Sequence, residues 1–291
     1  MIKEKLSHLI EKYDYIKSVF WPTGSTGPIY SIGAVGRGKF LFICKDKENY
    51  LVSNFKKVEE NTNIPDSKFI RPKARLSESD KIHYQLSTNL KEILVGKLLG
   101  DAHMRRFNIS EDSKSNARVI FLQSLEQSEF IYHLFGIFKD YSISSPKVHS
   151  SLIKETGNFR HNISFGTRTL PCFNEFYNLF YKNRLKVVPE NIEELLTEVS
   201  LAYWIMGDGS WKGYGIRLHT NNFTKAEVEL LMKAKNNKFG FNSSINIANK
   251  SKNQYTIYIP SKDINNLKSL VMPYILPSFL RKLGINSTTP K

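Results

Sequence analysis

The sequence predicts an α/β (α+β) chain, two copies of one helix–strands–helix–strands–helix unit behind an N-terminal α/β extension. Three observations predict it. An apolar helical run that ends in glycine, a lone aspartate and a tiny residue occurs twice, as Leu94-Val-Gly-Lys-Leu-Leu-Gly-Asp101-Ala102 and as Leu201-Ala-Tyr-Trp-Ile-Met-Gly-Asp208-Gly209. The two aspartates stand 107 residues apart (208 − 101), the length of one small folding unit. The order of helical and strand-like runs after each motif is the same. A single Gly-Asp often does no more than stop a helix; two copies with matching downstream order point to a duplicated unit.

Residues 1–88 read differently from the rest. A helix is expected from Ile2 to Phe20, then a turn-rich Pro22 to Pro28, then strands Ile29 to Val35 and Phe40 to Cys44 split by Gly36-Arg-Gly38 as in a hairpin. Glu48 to Glu60 reads as a helix, and Asn61 to Asp80, polar and carrying Pro65 and Pro72, reads as a linker. The first repeat, 89–189, opens at Asn89, an N-cap with Glu92 three residues on. Strands are expected near 103–110, 117–123, 147–153 and 159–165, with helices at 126–140 and 171–181 between and after them. The second repeat, 190–291, predicts its motif helix to end at Asp208, strands at 214–220, 241–248 and 254–259, and helices at 224–236 and 262–272.

Composition narrows the function. The 291 residues hold 42 Lys and Arg against 27 Asp and Glu, a net charge of +15, spread through the chain rather than gathered in a tail. A folded basic surface for a polyanion follows. No run approaches the roughly 18 apolar residues of a membrane span, so no membrane role is expected. Cys44 and Cys172 are too few for a disulfide framework or a structural zinc site. The first twenty residues mix Lys3, Lys5 and Lys17 with Glu4, Glu11 and Asp14, unlike a secretory signal or a transit peptide, so the protein is expected to act where it is made. Abundant Lys, Asn, Ile, Phe and Tyr have A/T-rich codons, as in an organellar genome. No P-loop, Cys-x-x-Cys, His-Glu-x-x-His or Gly-x-Ser-x-Gly occurs.

The chemistry lies in the motifs. Gly96 and Gly100, four apart, share a helix face and allow another backbone to approach, and Ala202 and Gly207 can serve similarly in the second copy. Two such helices side by side bring Asp101 and Asp208 together at helix C-termini, where free carbonyls add negative potential. The resulting oxygen-rich pocket suits Mg²⁺ (or Mn²⁺), and metal-assisted hydrolysis of a phosphodiester is the reaction such a centre supports.

These motifs resemble those of the LAGLIDADG homing endonucleases, in particular the two-repeat, organellar intron-encoded branch. The likeness covers roughly 89–288 and rests on Leu98 to Ala102, Leu201 to Gly209, Leu218-His-Thr-Asn-Asn-Phe223, Lys186-Val-Val-Pro189 and Leu276-Pro with Arg281-Lys282-Leu283. It implies an αββαββα unit in each half and two saddle-shaped sheets straddling DNA. It also implies a monomer that cuts double-stranded DNA across the minor groove at a long, asymmetric site, leaving 3′ overhangs. Asp101 and Asp208 match the metal ligands, with the following Ala102 and Gly209 among the metal-binding positions. Lys186 and Lys282, at offsets of 85 (186 − 101) and 74 (282 − 208), match the basic residues that orient water or stabilise transition-state charge. Gln123 and Asn221 match polar positions that hold solvent near the metal, and each equally suits a cap for the helix that follows. One departure is Gly207, where the related branch often carries a further aspartate.

DNA contacts are expected from Arg105, Arg106, Lys114, Arg118, Lys147, Arg160, His161 and Arg168 in the first half, and from Lys212, Arg217, Lys250 and Lys252 in the second. Interleaved Asn116, Ser151, Asn162, Asn246, Asn249 and Gln254 suit base edges, and His103 is expected to face DNA from a strand start. The implied setting is intron homing in a mitochondrion, with a plastid as the other organelle. The alternative is a maturase on the same fold that assists splicing of a group I intron RNA, with or without cleavage. A catalytically silent DNA-binding regulator is the third reading.

Overall fold

The motif helices are buried almost all round, and this decides the architecture. The computed structural model describes the backbone of residues 29–34 and 40–44, and residues 75–108, 115–153 and 157–285. The chain divides into two compact units, Met1–Ile70 and Arg71–Lys291. In the first unit, β1 (Ile29–Ala34) and β2 (Phe40–Cys44) pair antiparallel, as the hairpin reading expects. The helices expected at 2–20 and 48–60 lie outside the described residues.

The second unit begins with a short helix, α1 (Glu78–Ile82), inside and just beyond the segment expected to be a linker. Ser77 and Asp80 close a capping box there, satisfying two otherwise unpaired N–H groups, a local signal that polar composition masked. The first repeat then runs α2 (Thr88–Leu99), β3 (His103–Arg106), β4 (Ala117–Ser124), α3 (Ser128–Phe138), β5 (Lys147–Leu152), β6 (Phe159–Gly166) and α4 (Asn174–Phe180). A two-stranded hairpin, β7 (Tyr181–Lys182) and β8 (Leu185–Lys186), and a short helix, α5 (Ile192–Leu195), lead to the second repeat. That repeat runs α6 (Glu198–Asp208), β9 (Gly209–Trp211), β10 (Ile216–His219), α7 (Lys225–Phe239), β11 (Ser244–Asn249), β12 (Gln254–Ile259) and α8 (Ile264–Val271). Both halves therefore read αββαββα. Their sheets have corresponding antiparallel orders, β3-β4-β6-β5 and β9-β10-β12-β11.

The β7–β8 hairpin and α5 were not expected, β3 is shorter than the strand expected at 103–110, and further details differ as well. The cap of α2 is Ser87, whose hydroxyl accepts from the Leu90 N–H at 3.3 Å, and Asn89 already lies inside the helix. Serine caps as well as asparagine, and buried Leu86 anchors the chain just before it. The strand reading at 214–220 corresponds to β10, while β9, which precedes that range, was not expected, because a three-residue strand is too short to show alternation. The strand expected from 241 starts at Ser244, since Phe241 is buried in the core instead.

Residues Ile93 to Leu99 of α2 and Val199 to Met206 of α6 are all buried. Each large apolar side chain so removed from water contributes about 2 kcal/mol. In each sheet one parity packs on helices: Val119, Phe121, Ile163 and Phe165 in the first, Ile216, Leu218, Ile257 and Ile259 in the second. The opposite parity forms a second, polar face.

Candidate active site and nucleic-acid interface

The two motif helices touch through glycine. A Cβ on Gly96 would lie 2.2 Å from the Ser200 carbonyl oxygen, so only glycine permits this backbone approach. At the C-terminal ends the packing is reciprocal. A Cβ on Gly100 would lie 3.5 Å from Asp208 Oδ2, and a Cβ on Gly207 would lie 3.4 Å from Asp101 Oδ2. Each aspartate thus rests against the glycine that precedes the other. Gly207 is the counterpart of Gly100, and its lack of a side chain makes room for the opposing carboxylate.

Two lysines close the ends. Lys186 Nζ donates to the carbonyls of Gly100 and Ala102 at 2.7 and 2.8 Å. Lys282 Nζ donates to those of Met206 and Gly207 at 2.6 and 2.7 Å. Asn183 and Arg184, at φ 50° and 65°, make the tight β7–β8 turn that returns Lys186 to the end of α2. Lys282 sits in a 3-10 segment, Pro277–Leu283, that ends at Gly284 with φ 69°. The carbonyls left free by helix termination are thereby satisfied. An ammonium has three donors, so each lysine keeps one N–H beyond its two carbonyl bonds.

Burial pushes Lys186 and Lys282 down to about 8, against the raising influence of both aspartates. Asp208 is pushed up to about 6, first by burial and then by the neighbouring Asp101 charge, while Lys97, Lys186 and Lys282 oppose the rise. Loss of hydration on burial therefore outweighs the neighbouring ammoniums at this carboxylate. Two carboxylates form an incomplete cage, and no group of three or more His, Cys, Asp or Glu capable of holding a metal occurs among the described residues. That donor set fits a hard cation that keeps several waters and shares phosphate oxygens, and it does not fit a structural zinc or calcium site.

Gln123 Nε2 donates to Asp101 Oδ2, so β4 delivers its amide to the first aspartate. Asn221 lies in the exposed turn after β10. The sheet register pairs His103 with Ile120 and Ser210 with Arg217, which makes Thr220, not Asn221, the positional counterpart of Gln123. Thr220 is buried and donates to the Tyr255 carbonyl at 2.8 Å. The sequence reading missed Lys97. It is 1% exposed, pairs with Asp101 Oδ1, and lies 4.2 Å from the Phe130 ring centroid. The i to i+4 spacing of Lys97 and Asp101 was the available signal.

The polar sheet faces gather most of the expected basic residues. Strand pairing puts Arg105, Arg118, Lys147 and Arg160 on one face of the first sheet, with His103, His149, Asn162 and Ser164 between them. A shallow groove there is lined by Arg118, Lys147, His149 and Ser164. In the second sheet Arg217, His219, Thr256 and Asn246 share the corresponding face, and Lys250 and Lys252 stand exposed at the β11–β12 turn. Lys212 is exposed between β9 and β10. Burial and neighbouring cations hold His103 and His219 below the usual histidine range, so both are neutral hydrogen-bonding groups.

Three residues do not join this surface. Arg168 is only 5% exposed, just beyond the end of β6. His161 has the opposite strand parity and bonds Ser150 at 2.9 Å on the other face. Arg106 also has that parity, and its Nε donates to the Ser115 carbonyl at 2.8 Å. Lys114 lies outside the described residues.

A model of the LAGLIDADG DNA endonuclease family matches residues 91–267. The chain is 31% identical over 208 residues to the cytochrome b mRNA maturase bI2 of Saccharomyces cerevisiae, covering 68% of this chain and 48% of the relative. It therefore spans about half the length of that protein. It is 33% identical over 213 residues to a probable intron-encoded endonuclease 1 of Wickerhamomyces canadensis, covering 69% and 86%. Among solved structures it is similar to the homing endonuclease I-WcaI bound to its DNA recognition sequence, with a TM-score of 0.65, 32% identity, and 74% and 95% of the two chains covered.

Proposed function

Since the chain belongs to the LAGLIDADG DNA endonuclease family, we propose that it is a site-specific double-stranded DNA endonuclease of intron homing, acting as a monomer with Mg²⁺ (or Mn²⁺). The observation that carries this reading is the reciprocal seating of Asp101 and Asp208 against Gly207 and Gly100, with a buried lysine at each helix end. A maturase that only bound RNA would need the basic surface but not this centre.

Asp101 and Asp208 would hold the metal, with Ala102 and Gly209 beside them. When bound, the metal polarises phosphate oxygens and activates water. The chain's own residues do the rest. Gln123 fixes the orientation of the Asp101 carboxylate. Lys186 and Lys282 are held rigidly by two carbonyls each and direct their remaining N–H toward charge developing on the two scissile phosphates. Residues 89–189 and 190–291 act as the two half-sites, one per strand, so a single chain is complete. The polar sheet faces seat the flanking duplex, Arg and Lys mainly on phosphates and Asn, Gln and neutral His on base edges. Residues 1–88 form an extension in which no catalytic motif occurs, and the setting is an organelle, the mitochondrion first.

The test is cleavage of a plasmid bearing the intronless junction of the host gene. Wild type should cut with Mg²⁺ and not with Ca²⁺, and Asp101→Asn should bind without cutting. The maturase names among the relatives favour a second reading, assistance to a group I intron RNA. Splicing stimulation without cleavage at any junction would select it.

A further inference from the structure

The centre contains a cation that neither the duplicated motif nor its lysine partners account for. Lys97 lies one turn before Asp101 on α2, and its ammonium pairs with Asp101 Oδ1. A Cβ on Gly207 would lie 3.4 Å from Lys97 Nζ, which places the ammonium between the two helix ends. Its charge acts on Asp208, Lys186 and Lys282 as well. The second half has no equivalent: the position four residues before Asp208 is Trp204, buried, with its Nε1 unpartnered.

Asp101 is thus held on both oxygens, by Lys97 and Gln123, whereas Asp208 accepts none of the hydrogen bonds and forms none of the ion pairs found among the described residues. Fully ionised, the centre carries three ammoniums, Lys97, Lys186 and Lys282, against two carboxylates, a net +1. A divalent ion alone would enter a pocket already positive, and the scissile phosphates would reverse that sign.

We propose that Lys97 is a positioning residue that occupies part of the cation space between Asp101 and Asp208, so that the centre takes up divalent metal only together with DNA phosphates. This rests on the metal-centre reading above. It differs from it in assigning the chain a resident cation, and in predicting weak metal binding by the DNA-free protein.

The experiment is calorimetric titration of Ca²⁺ alone into DNA-free wild type, Lys97→Met, Lys97→Gln and Lys97→Met/Asp208→Asn, each first checked for folding by thermal melt. Methionine keeps the length of the stem among apolar neighbours, and glutamine carries the comparison if methionine perturbs the fold. The expected result is Ca²⁺ binding about tenfold or more tighter in both single variants than in wild type. Adding Asp208→Asn should remove the gain. Single variants that bind Ca²⁺ no better than wild type overturn the role of Lys97; if Asp208→Asn still weakens that binding, the metal centre itself stands. Ca²⁺ binding by Lys97→Met that is indifferent to the added Asp208→Asn overturns the metal centre and this inference with it.

Discussion

Asp101 and Asp208 close matching helices, but their surroundings differ, and the difference is measurable. Asp208 keeps its proton up to about pH 6 in the folded chain, while the unfolded value is 3.8. Between those values the folded state binds more protons than the unfolded one, so stability falls as pH rises through this window. Asp208→Asn removes the cost. At pH 7.5, without DNA or metal, the variant should be more stable by on the order of 2 kcal/mol in a denaturant melt, with the gain vanishing near pH 4. The same substitution should lower Mg²⁺-dependent cleavage by about three orders of magnitude or more while DNA binding persists. A variant both more stable and inactive marks a residue kept for chemistry; an unchanged melt would place Asp208 in ordinary solvent. The pair itself was legible in the sequence from duplication alone. Lys97 was not, because a lysine inside an apolar run reads as a solvated interruption until its ion pair and aromatic neighbour are seen.

Among the elements, the motif helices carry the tightest constraint. Gly96→Ala puts a methyl into the Ser200 backbone carbonyl, which belongs to the other helix and has no rotamer to yield. The helices must separate, at a cost of about 2–3 kcal/mol, and cleavage should fall with the aspartate geometry. Gly136→Ala, in α3 with nothing within 4 Å of the added carbon, should stabilise by up to about 1 kcal/mol. Parallel thermal melts of the two variants compare a packing glycine with an idle one, and equal effects would deny the close contact. For the strands, parity sorts the basic residues. Arg118→Ala should reduce the slope of log binding against log salt by about 1. His161→Ala, on the other face, should leave the slope unchanged, and a matching loss would put DNA on the wrong side of the sheet. Sequence runs located the longer strands but missed the two- and three-residue β7, β8 and β9, and they did not give the face that each residue takes, since a one-residue change in register reverses every side chain.

For the whole molecule, the two αββαββα repeats lie on one chain with a net charge of +15. Sedimentation of the protein with a DNA duplex should find one chain per duplex. Binding should weaken by about a thousandfold or more between 50 and 200 mM salt if six or more phosphates are neutralised. Two chains per duplex would mean that the centre is shared between copies. Sequence by itself determined the class, the duplication, the aspartate pair and the basic character of the surface, because these follow from periodicity, spacing and counts along the chain. Only the tertiary structure decided that Gly207 seats Asp101 as Gly100 seats Asp208, that Thr220 stands where Gln123 stands, that Arg168 is buried, and that Lys97 lies between the helix ends. Those are contacts between segments up to about a hundred residues apart. They depend on helix approach distance and strand register, which packing across the two repeats sets and neither repeat encodes alone.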